Sequence, residues 1–403
     1  MNIPKNLLPQ QWMLIKISSY LLLATLSLTL LIACQKNQPP QLSREAALGE
    51  RAFNDPSLSA SGRQSCASCH AVEQGHGAPN ALAVQPGGPQ LEARGLRTAQ
   101  ALRYLKTNTR FHFDADGKAS GGFFWDGRAD TLAAQAAGPL LGAREMANIN
   151  AATITQKIAQ AAWVNEFKTL YGANILNDSN LALAKLNQAL ERYQLEDAQF
   201  NGFTSKYDAV LRKAATLSAQ EQRGLDLFND PQKGNCAACH TSTKNPDGSH
   251  PLFTDFSYDN LGLPRNPDIN ENANPHYFDL GLCDRSDLKH RKDLCGAFRV
   301  PSLRNVSLRR ALFHNGHFKT LEEAMHFYVE RDTHPEKWYP KRSDGTVNQF
   351  NDLPLELRNN VNTKEVPYDR KRGDNPALNA SEIEDVIAFL HTLNDGWNSN
   401  SKR

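Results

Sequence analysis

Cys66-Ala67-Ser68-Cys69-His70 and Cys236-Ala237-Ala238-Cys239-His240 are two copies of one five-residue pattern, and how they are read decides the architecture. Two thiols at this spacing can add to the two vinyl groups of a haem. The abutting histidine is then held under the iron as its proximal ligand. Paired cysteines also occur as thioredoxin-like redox pairs and as halves of zinc sites. Neither requires an adjoining histidine, let alone two. The pattern therefore predicts two covalent haem c groups, the first on Cys66, Cys69 and His70, the second on Cys236, Cys239 and His240.

Each motif sits inside a longer repeat. Leu42-Ser43, Gly49 and Phe53-Asn54-Asp55-Pro56 return as Leu217-Ser218, Gly224 and Phe228-Asn229-Asp230-Pro231, every match 175 residues further on. Each copy predicts a helix N-capped by serine, but only Ser218 has a capping-box partner, Glu221, where the first copy has Ala46. Residues from about 151 to 216 carry helical apolar spacing, and Ser381 to Leu390 predicts a capped amphipathic helix near the C-terminus. Strand patterns are scarce, and 241–280 and 332–375 are loop-like, rich in Pro, Asn and Asp. The expected fold class is mainly α, with two cytochrome c-like haem domains and long loops, at 42–210 and 211–403. In such a fold the cofactor itself supplies much of the core.

The N-terminus reads as a targeting segment. Lys5 and Lys16 precede an apolar run from Tyr20 to Leu30, and Leu31-Ile32-Ala33-Cys34 resembles a bacterial lipobox. Residues 1–33 are then a lipoprotein signal peptide, Cys34 the lipidated residue and 34–41 a tether. An ordinary secretory signal and an uncleaved anchor are the alternatives, and all three export the protein. Gln35 after the cysteine favours the outer membrane, so the expected location is periplasmic and lipid-anchored. Of the seven cysteines this leaves Cys283 and Cys295, which are expected to be bridged in an oxidising compartment, two free thiols being the alternative. A net charge of +2 gives no global signal for nucleic acid, and none is expected as a partner.

Further motifs bring a specific resemblance. Gly122-Phe123-Phe124-Trp125-Asp126-Gly127-Arg128-Ala129, then Gln135-Ala136, Gly138-Pro139 and Glu145-Met146, resembles the signature of bacterial dihaem cytochrome c peroxidases and MauG-like proteins. So does Phe298-Arg299-Val300-Pro301-Ser302-Leu303-Arg304-Asn305-Val306, followed by Phe313-His314-Asn315-Gly316. The resemblance covers about 42 to 397 and implies peroxide chemistry at the first haem, with electrons passed through the second. Carried over by position, it makes Glu145 the distal acid that moves a proton between the peroxide oxygens. Gln135 becomes the distal amide that orients peroxide, and Trp125 a relay between the haems. Without the resemblance, Glu145 reads as a solvated helix start and Trp125 as core.

The second distal ligand is more discriminating. The peroxidases place a methionine fourteen residues beyond the histidine of the His-Asp-Gly motif, whereas Tyr328 stands there here, as in the MauG-like branch. Met325 lies one turn earlier and is the competing ligand. A phenolate stabilises ferric and higher-valent iron, while a thioether raises the potential.

Two positions depart from the family. The switchable distal histidine is replaced by Pro86, with His76 and His112 nearby but out of register, which predicts an open first haem needing no reductive activation. A calcium ion between the halves would use an asparagine after an arginine, but Gly95 follows Arg94, leaving only backbone carbonyls at Arg309 and Ala311. Calcium is weakened but stays open. The partners implied are hydrogen peroxide and a small cytochrome or copper protein donor. The MauG-like alternative takes a protein substrate instead, and a non-catalytic dihaem electron carrier is the third reading.

Overall fold

The computed structural model describes residues 41–398. The proposed signal peptide, Cys34 and all but the last residue of the tether lie outside them. From Arg44 on, the described residues form one compact unit. It is mainly helical, and its sheet content among the described residues is three antiparallel pairs of two-residue strands.

Two helix pairs carry the repeat. In the first, α1 (Arg44–Asn54) crosses a later helix spanning Ser179–Glu196; in the second, Ala219–Asn229 crosses Ala380–His391. The glycine common to both copies explains how. A Cβ on Gly49 would lie 1.9 Å from the carbonyl oxygen of Ala189, and one on Gly224 would lie 1.9 Å from that of Asp385. Only a residue without a side chain lets the two backbones meet so closely. The repeated phenylalanines anchor the two cores edge-on: Phe53 against Tyr193 at 5.5 Å, and Phe228 against Phe389 at 5.3 Å.

The helix starts follow capping chemistry. Ser218 and Glu221 form the expected capping box. The last helix starts earlier than its sequence suggested: Asn379, not Ser381, is the cap, and it shares a box with Glu382. Asn379 places a carboxamide oxygen where the Glu382 N–H needs an acceptor, and Ser381 is left inside the first turn.

Six further helices complete the set among the described residues. The first motif itself is α2 (Cys66–Cys69), followed by α3 (Leu132–Leu141), α4 (Ala151–Gln160) and α5 (Val164–Tyr171). Ser179–Glu196 is then α6, with α7 at Lys206–Leu211, α8 at Ala219–Asn229, α9 at Leu321–Glu330 and α10 at Ala380–His391.

The two repeat halves meet through polar contacts that are mostly buried. Arg97 grips Asp279 with two N–H···O bonds of 2.6 and 2.7 Å and donates a third, of 2.6 Å, to Asp126. The Arg299 N–H donates to the Trp125 carbonyl at 2.8 Å. Cys283 and Cys295 are bonded to each other and close a loop that carries Asp284 and begins a few residues after Asp279.

Candidate active site

The first motif opens onto a cavity of about 700 Å³, within the roughly 300–1,000 Å³ usual for ligand sites. Ser65 and Ser68 form a capping box around α2, and the His70 N–H closes the turn on the Cys66 carbonyl at 3.0 Å. His70 Nδ1 faces the carbonyls of Gln100 at 2.9 Å and His76 at 3.2 Å. That contact fixes the proton on Nδ1 and leaves Nε2 free as a ligand. Burial pushes the imidazole down to about 4, so it is neutral, the form that binds metal.

Gln135, Glu145, Trp125 and Arg128 line the same cavity. Gln135 rides on α3, whose start is capped by Thr131. Glu145 follows in a turn closed by its N–H on the Gly142 carbonyl at 2.9 Å. Its side chain is accessible from the cavity yet enclosed by protein, and that desolvation raises its carboxyl above the ordinary range against the pull of Arg128. Arg128 is itself pinned, 3.6 Å over the Phe124 ring and bonded to Asp126.

Pro86 does line this cavity, its carbonyl accepting from Gln64 Nε2 at 2.6 Å. His76 instead stacks on Phe200 at 4.1 Å, and His112 is exposed on its strand. Among the described residues, His70 is the one histidine lining the first cavity.

The second motif opens onto a narrower cavity of about 210 Å³, lined by Cys236, Cys239, His240, Met325, Tyr328 and Tyr368. His240 Nδ1 faces the Phe253 carbonyl at 2.8 Å, the same tautomer device as in the first site. Met325 and Tyr328 both project from α9 into this space, and burial holds the Tyr328 phenol well above its usual range. The Tyr328 ring stacks on Tyr368 at 6.0 Å, and the Arg331 guanidinium sits 4.4 Å over Tyr368. Trp125 lines both cavities, its indole N–H donating to the Thr98 carbonyl at 2.9 Å.

The residues present fit two haems. Cys66, Cys69, Cys236 and Cys239 form no disulfide, and each pair adjoins a histidine whose Nδ1 is held by a backbone carbonyl. Arg299 and Arg309 add a stronger sign. Both guanidiniums are enclosed at the cavity walls, where burial lowers them, Arg309 to about 10, and no carboxylate among the described residues pairs with either. A buried guanidinium without a counter-ion is suited to the carboxylates a haem carries. Calcium does not fit in the same way. Gly95 supplies no side-chain oxygen, and the Ala311 carbonyl faces Arg309 Nη2 at 3.5 Å. No group of three or more His, Cys, Asp or Glu suited to a metal exists among the described residues.

Of the residues singled out in the sequence, Cys66, Cys69, His70, Gln135 and Glu145 line the first cavity and Cys236, Cys239, His240 and Tyr328 the second, whereas Tyr368, Arg309 and the Arg97 contacts were not foreseen. Arg299 was legible as part of its motif. Arg309 was noticed only for its carbonyl, because nothing in a sequence tells which arginine will fold inward.

Comparison with known proteins agrees with this geometry. Residues 43–216 match the family described as di-haem cytochrome c peroxidase. The methylamine utilization protein MauG of Paracoccus denitrificans is 33% identical over 360 residues, 87% of this chain and 88% of that protein. The cytochrome c peroxidase Ccp of Escherichia coli is 28% identical over 362 residues, 88% of this chain and 59% of that protein. Among solved structures, the diheme peroxidase BthA of Burkholderia thailandensis superposes with a TM-score of 0.81 at 38% identity, covering 89% of this chain and 87% of that one.

Proposed function

The chain belongs to the bacterial dihaem cytochrome c peroxidase and MauG-like family, an oxidoreductase family of haem enzymes, and on that premise we propose a division of labour between its two sites. Hydrogen peroxide is reduced at the site of His70, with electrons delivered through the site of His240. Covalent attachment is through Cys66 and Cys69 in the first site and Cys236 and Cys239 in the second. The observation that carries this reading is that Gln135 and Glu145 face the cavity of His70, where no second histidine competes for the open side.

When bound, the two haems supply redox-active irons, one open to peroxide and one closed. The chain's own residues do the rest. The Gln135 carboxamide hydrogen-bonds peroxide and sets its orientation. Glu145, as carboxylate, takes the proton from the inner peroxide oxygen and gives it to the outer one, so that the departing oxygen leaves as water. Two electrons and two further protons complete the reduction of one peroxide to two waters. Trp125, lining both cavities, lies between the two halves as the relay. At the second site His240 and Tyr328 would both hold the iron, with Met325 the competitor of Tyr328. The two sites coincide with cytochrome c-like domains at 42–210 and 211–403. The N-terminal signal and Cys34 support a periplasmic, lipid-anchored protein, probed by labelling with a radioactive fatty acid.

Tyr328 favours a second reading, in which the oxidising equivalents act on side chains of a partner protein. Stoichiometric peroxide added to the diferric protein, followed by optical and Mössbauer spectroscopy, separates the two. Rapid turnover with reduced small cytochrome or copper protein supports the peroxidase. Slow turnover with a stable high-valent state spread over both irons supports the partner-directed reaction. No reaction with peroxide overturns both and leaves an electron carrier. A resting ferric first site that is low-spin and doubly ligated contradicts its being open.

A further inference from the structure

Three consecutive carbonyls join the two sites. Thr98 O accepts from Trp125 Nε1 at 2.9 Å, Ala99 O from Arg309 Nη2 at 2.9 Å, and Gln100 O from His70 Nδ1 at 2.9 Å. The Thr98 N–H donates in turn to the His314 carbonyl at 2.8 Å, tying the same segment to the second half. The relay tryptophan, the first proximal histidine and a cation contributed by the other half thus hang on one short piece of backbone.

Arg309 is the unusual member. Its guanidinium is enclosed, and among the described residues it faces backbone carbonyls rather than a carboxylate. Its place is prepared by Gly77, where a Cβ would come within 3.0 Å of Arg309 Nη1. It also reaches the Ala311 carbonyl at 3.5 Å. That carbonyl and the one at Arg309 are the two the family resemblance would direct at calcium, and the third donor is missing at Gly95.

We propose that the Arg309 guanidinium is a built-in cation that replaces the divalent ion at the junction of the halves and acts as a positioning residue for His70 and Trp125. A fixed positive charge collects carbonyl oxygens as a calcium ion does, with directed N–H bonds in place of a coordination shell. It holds the Ala99 carbonyl, and so sets where the Gln100 and Thr98 carbonyls point. The orientation of the His70 ring and of the Trp125 indole follows. This inference rests on His70 being the proximal ligand of the first haem.

The test uses the full dihaem protein. EDTA-treated wild type is titrated with calcium by calorimetry, and the iron–histidine vibration of the first site is recorded by resonance Raman in wild type, Arg309→Ala, Arg309→Lys and Gly77→Ala. Expected are no calcium uptake by wild type, a shifted vibration in Arg309→Ala, and recovery towards the wild-type position in Arg309→Lys. Gly77→Ala, which pushes on Nη1, shifts the same vibration and serves if Arg309→Ala does not fold. An unmoved vibration in Arg309→Ala or Gly77→Ala overturns the proposal. So does uptake of one calcium per chain by EDTA-treated wild type with a change in that vibration. Absence of any iron–histidine vibration from the first site in wild type counts instead against the reading of His70.

Discussion

Met325 and Tyr328 stand three residues apart on α9 and both face the second cavity, so one helix offers two chemically different ligands to one site. With Tyr328 as the ligand, Tyr328→Phe abolishes the low-spin optical and EPR signals of that site, and Met325→Leu leaves them in place. The reverse pattern assigns the site to Met325.

Glu145 combines access to peroxide with a carboxyl raised by enclosure. Glu145→Gln keeps the shape and removes the base, and should slow the peroxide step by about 10²–10⁴-fold. The pH dependence has a definite sign. A carboxyl with a raised pKa loses its proton at higher pH than an ordinary one, so the wild-type rate falls as pH drops through a point above the usual carboxylate range. Stopped-flow rates across pH should show that limb in wild type and not in Glu145→Gln.

Trp125→Phe removes the 2.9 Å bond to the Thr98 carbonyl and the indole that lines both cavities. The first reaction with peroxide should persist, while transfer of electrons from the second site slows. Rapid-mixing spectra that resolve the two sites separate these events. Equal slowing of both would make Trp125 a packing residue.

Gly49→Ala and Gly224→Ala each force a methyl onto a backbone oxygen 1.9 Å away. The helices must separate, at a cost of about 1–3 kcal/mol or more in each half. Urea unfolding should show a lowered midpoint for both variants, whereas Gly117→Ala, with nothing within 4 Å of its added methyl, should suffer only from its positive φ of 78°.

The repeat was legible because it is periodic in residue identity: Gly49 and Gly224, Phe53 and Phe228, and the two thiol motifs recur at one offset. The helix pairing behind it was not, since Ala189 and Asp385, the residues that the glycines meet, share no side-chain type. The distal pair was legible through motif position, but its enclosure was not. Glu145 sits in a short turn at the cavity, where desolvation and the charge of Arg128, itself laid over Phe124, act on its carboxyl. Arg97 is least legible of all, because its partner Asp279 is 182 residues away in a loop without periodicity.

That loop gives a last prediction. Cys283 and Cys295 are bonded, and the neighbouring Asp279 and Asp284 line the first cavity from the second half. Replacing both cysteines by serine should cost about 2–4 kcal/mol. It should also weaken peroxide binding more than it affects the second site, because the bond steadies a wall of the first cavity. Peroxide titrations of the double variant, set beside its thermal unfolding, check both parts.

The grip of Arg97 on Asp126 and Asp279 bears on timing. Swinging one half away from the other would strand a guanidinium and two carboxylates in a place with little water, and breaking such a pair costs about 3–5 kcal/mol. A protein latched in this way does not assemble its machinery afresh at each encounter. It waits already closed.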